Sequence, residues 1–203
     1  MTHSDQPFCI DCCLAQFFNI RQTIFFWIKI IIYMPSQIVT DCSKSLAEKK
    51  MTIAFAESAT AGRLASEFSM CPDSGKVLKG GLVCYDADLK KSILHVPESI
   101  IEEFTPESAE VTKEIAERLK SLIPADVHVG VTGLTTPGGS ESPEKPVGTI
   151  FLHACIQGRS IAAREVFKGE PEEIVLQCID RIAELILQEV AYDKQMTENT
   201  VEN

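Results

Sequence analysis

The chain has 203 residues, of which 45% are hydrophobic and 24% are charged, a composition that is ordinary for a globular protein. Its formal net charge of −10 and its sequence pI of about 4.9 exclude a general nucleic-acid-binding surface, which needs clustered lysine and arginine. They do not exclude a small phosphorylated ligand, because a pocket can bind an anion through backbone N–H groups.

The first part of the chain, residues 1–33, differs in pattern from the rest. We predict that it is an extension outside the folded domain, with Met34 as an internal translation start. Its apolar run at residues 23–33 leaves a membrane anchor open as an alternative. That run is shorter than the roughly 20 apolar residues of a spanning helix, and Lys29 would be costly in a bilayer. The main expectation is therefore a protein without a membrane partner.

The spacing of the eight cysteines does not indicate a disulfide framework, and we recognise no secretory signal in the sequence. The expected compartment is therefore a reducing cytoplasm. Cys84 and Cys155 lie in apolar, strand-like runs, where a free thiol behaves as a small hydrophobic group. The cluster of Cys9, Cys12 and Cys13 leaves a zinc site open as an alternative. No second ligand pair follows it at zinc-site spacing, and we predict no metal and no cofactor.

From residue 35 onward, hydrophobic periodicity predicts helices and strands in alternation. Predicted helices cover residues 38–50, 62–68, 87–94, 98–104, 108–122 and 172–191. Predicted strands cover residues 52–56, 81–85, 127–131, 149–156 and 160–167, and Gly75 marks a loop. The last two strands are separated by a short turn and are expected to form a hairpin. A polar tail, predicted to be disordered, occupies residues 193–203.

This alternation, with one hairpin near the end, predicts an α/β fold: a three-layer α/β/α sandwich with a mixed β-sheet. The folded domain is expected to span residues 34–192.

Three polar segments each follow a predicted strand. They begin at Glu57, Tyr85 and Thr132, and the third continues through a long loop that contains Pro137, Gly138 and Gly139. In open α/β sheets, the loops at the carboxyl ends of the strands line the ligand crevice, so these segments are expected to meet.

Ser58 and Lys90 are the candidate nucleophile and base. A serine hydroxyl needs a base, and a lysine can serve as one if burial lowers its pKa. Each residue also has an ordinary structural interpretation, because serine is a preferred helix N-cap and Lys90 resembles the exposed helix lysine beside it. The Gly138–Gly139 pair lets N–H groups approach an anion, although it is equally typical of a surface turn. The residues alone leave these alternatives open.

Four motifs, AESATAG, GGLVCYDADLK, VTGLTTPGG and PEKPVGT, resemble those of the CinA (competence/damage-inducible) C-terminal domain family, the nicotinamide-nucleotide amidases. They occur in the family's order within residues 38–191. The resemblance implies metal-independent hydrolysis of the carboxamide of nicotinamide mononucleotide to nicotinate mononucleotide and ammonia. It also implies a homodimer or a higher homo-oligomer whose ligand is a small nucleotide.

By the same resemblance, Ser58 is the nucleophile and Lys90 its general base, with Tyr85 and Thr132 as supporting catalytic residues. N–H groups near Ser58 to Thr60 would hold the oxyanion. The expected substrate-binding residues are Glu57, Ala59, Thr60, Gly62, Gly133, Pro137, Gly138 and Gly139.

The chain departs from the family pattern at several positions near these motifs: Ala59, Ala61, Asp86, Ala87, Leu134, Thr135, Thr136 and the segment from Phe167 to Pro171, which lacks the family's arginines. A CinA-like module that binds a nucleotide without turning it over therefore remains the alternative, and a different small amide remains open as the substrate.

Overall fold

The computed structural model describes the backbone of residues 34–201 and the side chains of residues 34–191. The predicted extension at residues 1–33, with its apolar run and its cysteine cluster, lies outside the described residues. Among the residues that are described, no helix is both long enough and apolar enough to cross a membrane.

Helices and strands alternate in the order that the periodicity predicts. They are α1 (Gln37–Glu48), β1 (Ile53–Glu57), α2 (Arg63–Ser69), α3 (Ser74–Val77), β2 (Leu78–Val83), α4 (Ala87–Ser92), α5 (Glu98–Phe104), α6 (Ala109–Leu122), β3 (Val127–Gly133), β4 (Thr149–Ile156), β5 (Arg159–Val166) and α7 (Pro171–Val201).

Within the described residues, five strands form one sheet in the order β2-β1-β3-β4-β5. β1 is parallel to both of its neighbours, β2 and β3, whereas β3–β4 and β4–β5 are antiparallel. The predicted mixed sheet and its late hairpin are confirmed. The carboxyl ends of β1, β2 and β3 meet at one edge, which we call the carboxyl edge.

The sheet separates two apolar clusters, which gives the three layers. On one face, alternate residues of β1, β3 and β4 pack against α1, α2 and α7. On the other face, Ala54 and Ala56 of β1 pack with α6 and the segments around α4 and α5. Every residue of β1 is buried because this strand has a neighbour on each side and helices on both faces.

The element bounds differ from the sequence-based expectation at three places. Gly75 lies inside the single-turn helix α3 and not in a loop, because the reversal falls on Asp73, at φ +62°. β2 begins earlier and ends at Val83, since the carbonyl of Tyr85 turns away to accept a hydrogen bond from Lys90. Helix α7 continues past the predicted end at Ala191 to Val201 through a segment without glycine or proline, so the expectation of a disordered tail was wrong up to that residue.

Candidate active site

The turn from β1 into α2 places Ser58 at the carboxyl edge. The Ser58 N–H donates to the carbonyl of Val131 at 3.0 Å and so continues the ladder with β3 by one residue. Ala61 and Gly62 then adopt left-handed backbone, at φ +48° and +94°, and turn the chain into the helix. This backbone leaves the Ser58 side chain at the start of the turn.

Glu57 caps helix α2, which frees Ser58 from that role. Its buried carboxylate accepts hydrogen bonds from the start of the helix: the N–H groups of Gly62 at 2.9 Å, Leu64 at 3.0 Å and Ala65 at 2.9 Å, and the Thr60 hydroxyl at 2.7 Å. Helix N-termini carry unpaired N–H groups that favour an anion, so this arrangement is strongly stabilising. The N-cap interpretation of Ser58 is therefore wrong.

Lys90 is the partner of the Ser58 hydroxyl. Its side chain is fully buried, although it belongs to the short helix α4, and its Nζ lies 3.1 Å from Ser58 Oγ and 3.3 Å from the carbonyl oxygen of Tyr85. Burial lowers the pKa of Lys90, because a desolvated ammonium group is unfavourable, and nearby Cys84, Glu107 and Asp86 partly oppose this shift. The interpretation of Lys90 as an ordinary exposed lysine is wrong.

A cavity of about 320 Å³ opens beside Ser58 at the carboxyl edge. The three predicted strand-end segments all contribute to it. Its lining comprises Ser58, Ala59, Tyr85, Glu107, Gly133, Leu134, Thr135, Thr136, Pro137, Gly138 and Gly139. Tyr85 is 63% exposed and lines the cavity, so it is available to a ligand.

Two backbone N–H groups next to Ser58 are unused. Those of Ala59 and Thr60 donate to no residue that the structure describes, whereas the N–H groups of Ser58, Ala61 and Gly62 all have acceptors. Free N–H groups beside a nucleophile are the usual components of an oxyanion hole.

The glycine pair in the long loop already holds an anion, which is a side chain of the same loop. The N–H of Gly138 donates to Glu141 Oε1 at 2.8 Å, and Gly139 also contributes a backbone hydrogen bond to this carboxylate. These bonds lower the pKa of Glu141. The predicted availability of the Gly138 and Gly139 N–H groups is therefore corrected: a ligand anion would have to displace Glu141.

Lys145 and Glu107 fasten the same loop to the start of α6. Lys145 Nζ donates to Thr105 Oγ1 at 2.7 Å, to the Glu107 carbonyl at 3.0 Å and to Ser140 Oγ at 2.6 Å. The Ser140 hydroxyl in turn donates to the Glu107 carboxylate at 2.5 Å. Burial lowers the pKa of Lys145. The network joins Glu107, which lines the cavity, to the loop that contributes Gly138 and Gly139 to the same lining.

Five of the predicted site residues do not line the cavity, and one of them is Lys90, which contacts the lining residue Ser58. Glu57, Thr60 and Gly62 belong to the cap of α2, as described above. Thr132 is fully buried on the α6 side of β3, where its hydroxyl lies 2.7 Å from Thr112 Oγ1. Alternation along the strand turns Thr132 toward the helix. Thr132 therefore connects β3 to α6 through this hydrogen bond and does not line the cavity.

The acidic residues Asp86 and Asp88 lie outside the cavity. Asp86 caps helix α4 by accepting the N–H of Asp88 at 2.7 Å, and Asp88 forms an ion pair with Lys91 at 2.8 Å. The carboxylate that does line the cavity, Glu107, was missed in the sequence. Glu107 lies just before the N-cap of α6. Because α6 runs antiparallel to β3, its first residues lie at the carboxyl edge, and this position could have identified Glu107 as a candidate site residue.

The chain resembles one protein family along most of its length. The model of the CinA C-terminal domain matches residues 35–190. A CinA-like protein of Thermotoga sp. (strain RQ2) is 40% identical over 125 residues, which are 62% of this chain and 30% of that protein. A CinA-like protein of Petrotoga mobilis is 38% identical over 130 residues, or 64% of this chain and 32% of that protein. The chain thus spans about a third of the length of the curated relatives that it matches.

Solved structures give the same fold. A crystal structure of a competence-damaged protein (CinA) superfamily protein from Klebsiella pneumoniae has a TM-score of 0.73 at 22% identity and covers 77% of this chain and 97% of its own. One from Escherichia coli has a TM-score of 0.70 at 28% identity and covers 74% of this chain and 87% of its own.

Proposed function

Because the chain belongs to the CinA C-terminal domain family, we propose that it is a metal-independent Ser–Lys amidohydrolase whose substrate is nicotinamide mononucleotide or a related small amide. The observation that supports this proposal most directly is the contact of 3.1 Å between Ser58 Oγ and Lys90 Nζ beside an open cavity. The products would be nicotinate mononucleotide and ammonia.

In the proposed first step, neutral Lys90 accepts the hydroxyl proton of Ser58 while Ser58 Oγ bonds to the carboxamide carbon. The carbonyl oxygen becomes an oxyanion, and the N–H groups of Ala59 and Thr60 donate to it. Each such donor is worth about 3–4 kcal/mol in the transition state.

The oxyanion then collapses and the C–N bond breaks, while the ammonium group of Lys90 returns its proton to the departing amine, which leaves as ammonia. Water hydrolyses the resulting acyl-serine ester, again with Lys90 as the base. This step releases the carboxylate and restores the Ser58 hydroxyl, so atoms and protons balance over the cycle.

The polar groups that line the cavity favour some amides over others as the ligand. The residues that the structure places in its lining include the Glu107 carboxylate and no lysine or arginine. A carboxylate accepts hydrogen bonds from sugar hydroxyls and attracts a pyridinium cation, whereas a phosphate would depend on backbone N–H groups. Both nicotinamide mononucleotide and nicotinamide riboside, which lacks the phosphate, should therefore be tested as substrates.

The first prediction is that the full chain releases ammonia from at least one of these two amides and that Ser58→Ala abolishes the release. The matched control is Ser121→Ala, which changes an exposed serine at the end of α6 and is expected to keep the full rate. Ammonia release and substrate binding are measured on all three proteins.

If the natural chain and Ser58→Ala both bind the nucleotide and neither releases ammonia, the protein is a binding module. If Ser58→Ala keeps the natural rate, the Ser–Lys mechanism is wrong.

A further inference from the structure

A second cluster of reactive side chains lies away from the cavity, between helix α6 and strand β4. An imidazole nitrogen of His153, the Cys155 thiol and a Glu117 carboxylate oxygen all lie within 4.8 Å of one another. His153 and Cys155 are two residues apart on β4, so alternation places both on the face that α6 covers.

The three side chains are held by rigid elements that approach each other closely. Gly130 of β3 pairs with His153 in the sheet, and a Cβ at Gly130 would come within 2.4 Å of the Thr112 carbonyl of α6. Because Gly130 has no side chain, α6 can pack closely against the sheet at this position. This close packing brings Glu117 within reach of β4.

One buried polar atom of His153 has no hydrogen-bond partner among the described residues. This atom is Nε2, and the side chain as a whole is only 6% exposed. A buried polar atom without a hydrogen-bond partner is unfavourable, and the same imidazole has a ring nitrogen within 4.8 Å of a thiol and a carboxylate, so the cluster indicates an absent ligand.

We propose that His153, Cys155 and Glu117 bind one divalent transition-metal ion of the zinc class. Nitrogen, sulfur and oxygen donors of these three types are the set that zinc takes in proteins. Cys155 also borders a separate cavity of about 370 Å³ near His128, from which water can supply a fourth ligand.

The geometry is close to that of a bound state. Tetrahedral zinc with bonds of about 2.0–2.3 Å separates its ligand atoms by roughly 3.3–3.7 Å. The ligand atoms now lie within 4.8 Å of one another, so binding would require them to approach by at most about 1.5 Å. Binding would replace the hydrogen bond from Cys155 Sγ to Glu117 Oε1, now 3.2 Å, with two bonds to the metal.

Lys120 is the cation that now pairs with Glu117, and Lys113 is the other lysine whose charge reaches His153. Lys113 is exposed and the Lys120 side chain is 41% exposed, so both can extend into water when a metal ion takes the carboxylate. The thiol loses its proton to solvent as the metal–sulfur bond forms, and no electron is transferred.

The test is a titration of the full chain with Co²⁺, a spectroscopic substitute for zinc, in a background where Cys9, Cys12 and Cys13 are serine. We expect one ion per chain and a thiolate-to-cobalt charge-transfer band. Cys155→Ser should abolish the band. His153→Gln and Glu117→Gln should weaken binding by about tenfold or more, since loss of even an outer-shell partner costs about 10–100-fold.

Cys71→Ser is the matched control, because Cys71 is another buried thiol with an acceptor in its own helix segment, the Glu67 carbonyl. It is expected to keep the band. Absence of the band in the background protein overturns the proposal, as does a band that survives Cys155→Ser or that disappears in Cys71→Ser. If Cys155→Ser does not fold, Glu117→Gln provides the test, because Glu117 is partly exposed and its replacement is less disruptive. Unchanged Co²⁺ affinity in Glu117→Gln would overturn the proposed metal site.

Discussion

Glu57 is the residue that leaves Ser58 available for chemistry. Serine is one of the residues preferred at a helix N-cap. Here the buried Glu57 carboxylate accepts the N–H groups of α2, and the Ser58 hydroxyl contacts Lys90 instead. The two adjacent residues therefore make separate contacts: Glu57 holds the start of the helix, and Ser58 contacts Lys90.

The lowered pKa of Lys90 predicts how the rate depends on pH. Only neutral Lys90 can accept the Ser58 proton, so kcat/KM for the amide should rise with pH and level off below the ordinary pKa of lysine. Lys90→Arg should be inactive throughout, because a guanidinium group stays protonated. Ammonia release measured from neutral to alkaline pH checks both expectations. A flat profile, or an active Lys90→Arg, would remove Lys90 from the mechanism.

The left-handed backbone at Ala61 predicts a stabilising substitution. Left-handed conformation costs a non-glycine residue about 1–2 kcal/mol, whereas glycine adds less than that in chain entropy. Ala61→Gly should therefore raise the free energy of unfolding by about 0.5–1 kcal/mol in urea denaturation. The reverse change next to it, Gly62→Ala, should lower it, since φ is +94° and the new Cβ would lie 3.2 Å from Val83. A less stable Ala61→Gly would contradict the assigned conformation.

At the scale of elements, Lys145 and the Ser140–Glu107 hydrogen bond join the loop between β3 and β4 to the segment before α6. Lys145 donates to Thr105 Oγ1 and to the Glu107 carbonyl outside the loop, and hydrogen bonds from a charged group contribute about 1.5–3 kcal/mol each. Its third acceptor, Ser140 Oγ, lies within the loop. These two hydrogen bonds, which we call the Lys145 tether, are therefore among the contacts that hold this part of the cavity lining.

Replacement of the tether should weaken substrate binding more than chemistry. Lys145→Met is expected to raise KM by about tenfold, equivalent to about 1.4 kcal/mol and so within the strength of one charged hydrogen bond, with a smaller change in kcat. Steady-state kinetics measure both constants. Lys44→Met, which removes a lysine with a 73% exposed side chain on α1, serves as the comparison and should change neither. An unaltered KM in Lys145→Met would mean that the loop is held by other contacts.

Most elements could be predicted from the sequence because apolar periodicity reflects burial directly. The site was predictable where it depended on strand ends, as for Ser58 and Tyr85. The sequence named Lys90 as a candidate base but left its burial open: Lys90 is fully buried and Lys91 is 33% exposed, yet a short polar helix has no periodicity that distinguishes them. The bonds from Gly138 to Glu141 and from Ser140 to Glu107 depend on how a long loop folds back, which hydrophobic pattern does not encode.

At the scale of the whole molecule, a buried base lowers stability at neutral pH. The unfolded chain binds the Lys90 proton more tightly than the folded protein does, because burial lowers the pKa in the folded state. Stability therefore rises with pH between the folded and the ordinary lysine pKa. Buried thiols act in the opposite direction, since burial raises the pKa of Cys84 and Cys155 to about 11.

The comparison that isolates Lys90 is with Lys90→Met, which replaces the amine with an unbranched apolar side chain of similar size and keeps all the cysteines. The free energy of unfolding of the natural chain, minus that of Lys90→Met, should increase as pH rises toward the ordinary lysine value. Urea denaturation at several pH values measures this difference. A difference that stays constant or falls would show that Lys90 is not desolvated in the folded protein.

The reversal of direction between β3 and β4 has a practical consequence. The tight bend at Gln157 and Gly158, which joins β4 to β5, falls at the end of the sheet opposite the cavity mouth. A peptide tag or a surface-attachment group inserted at that bend would leave the approach of a small molecule to Ser58 unobstructed. Immobilised protein could then be assayed for turnover in the same orientation on every molecule.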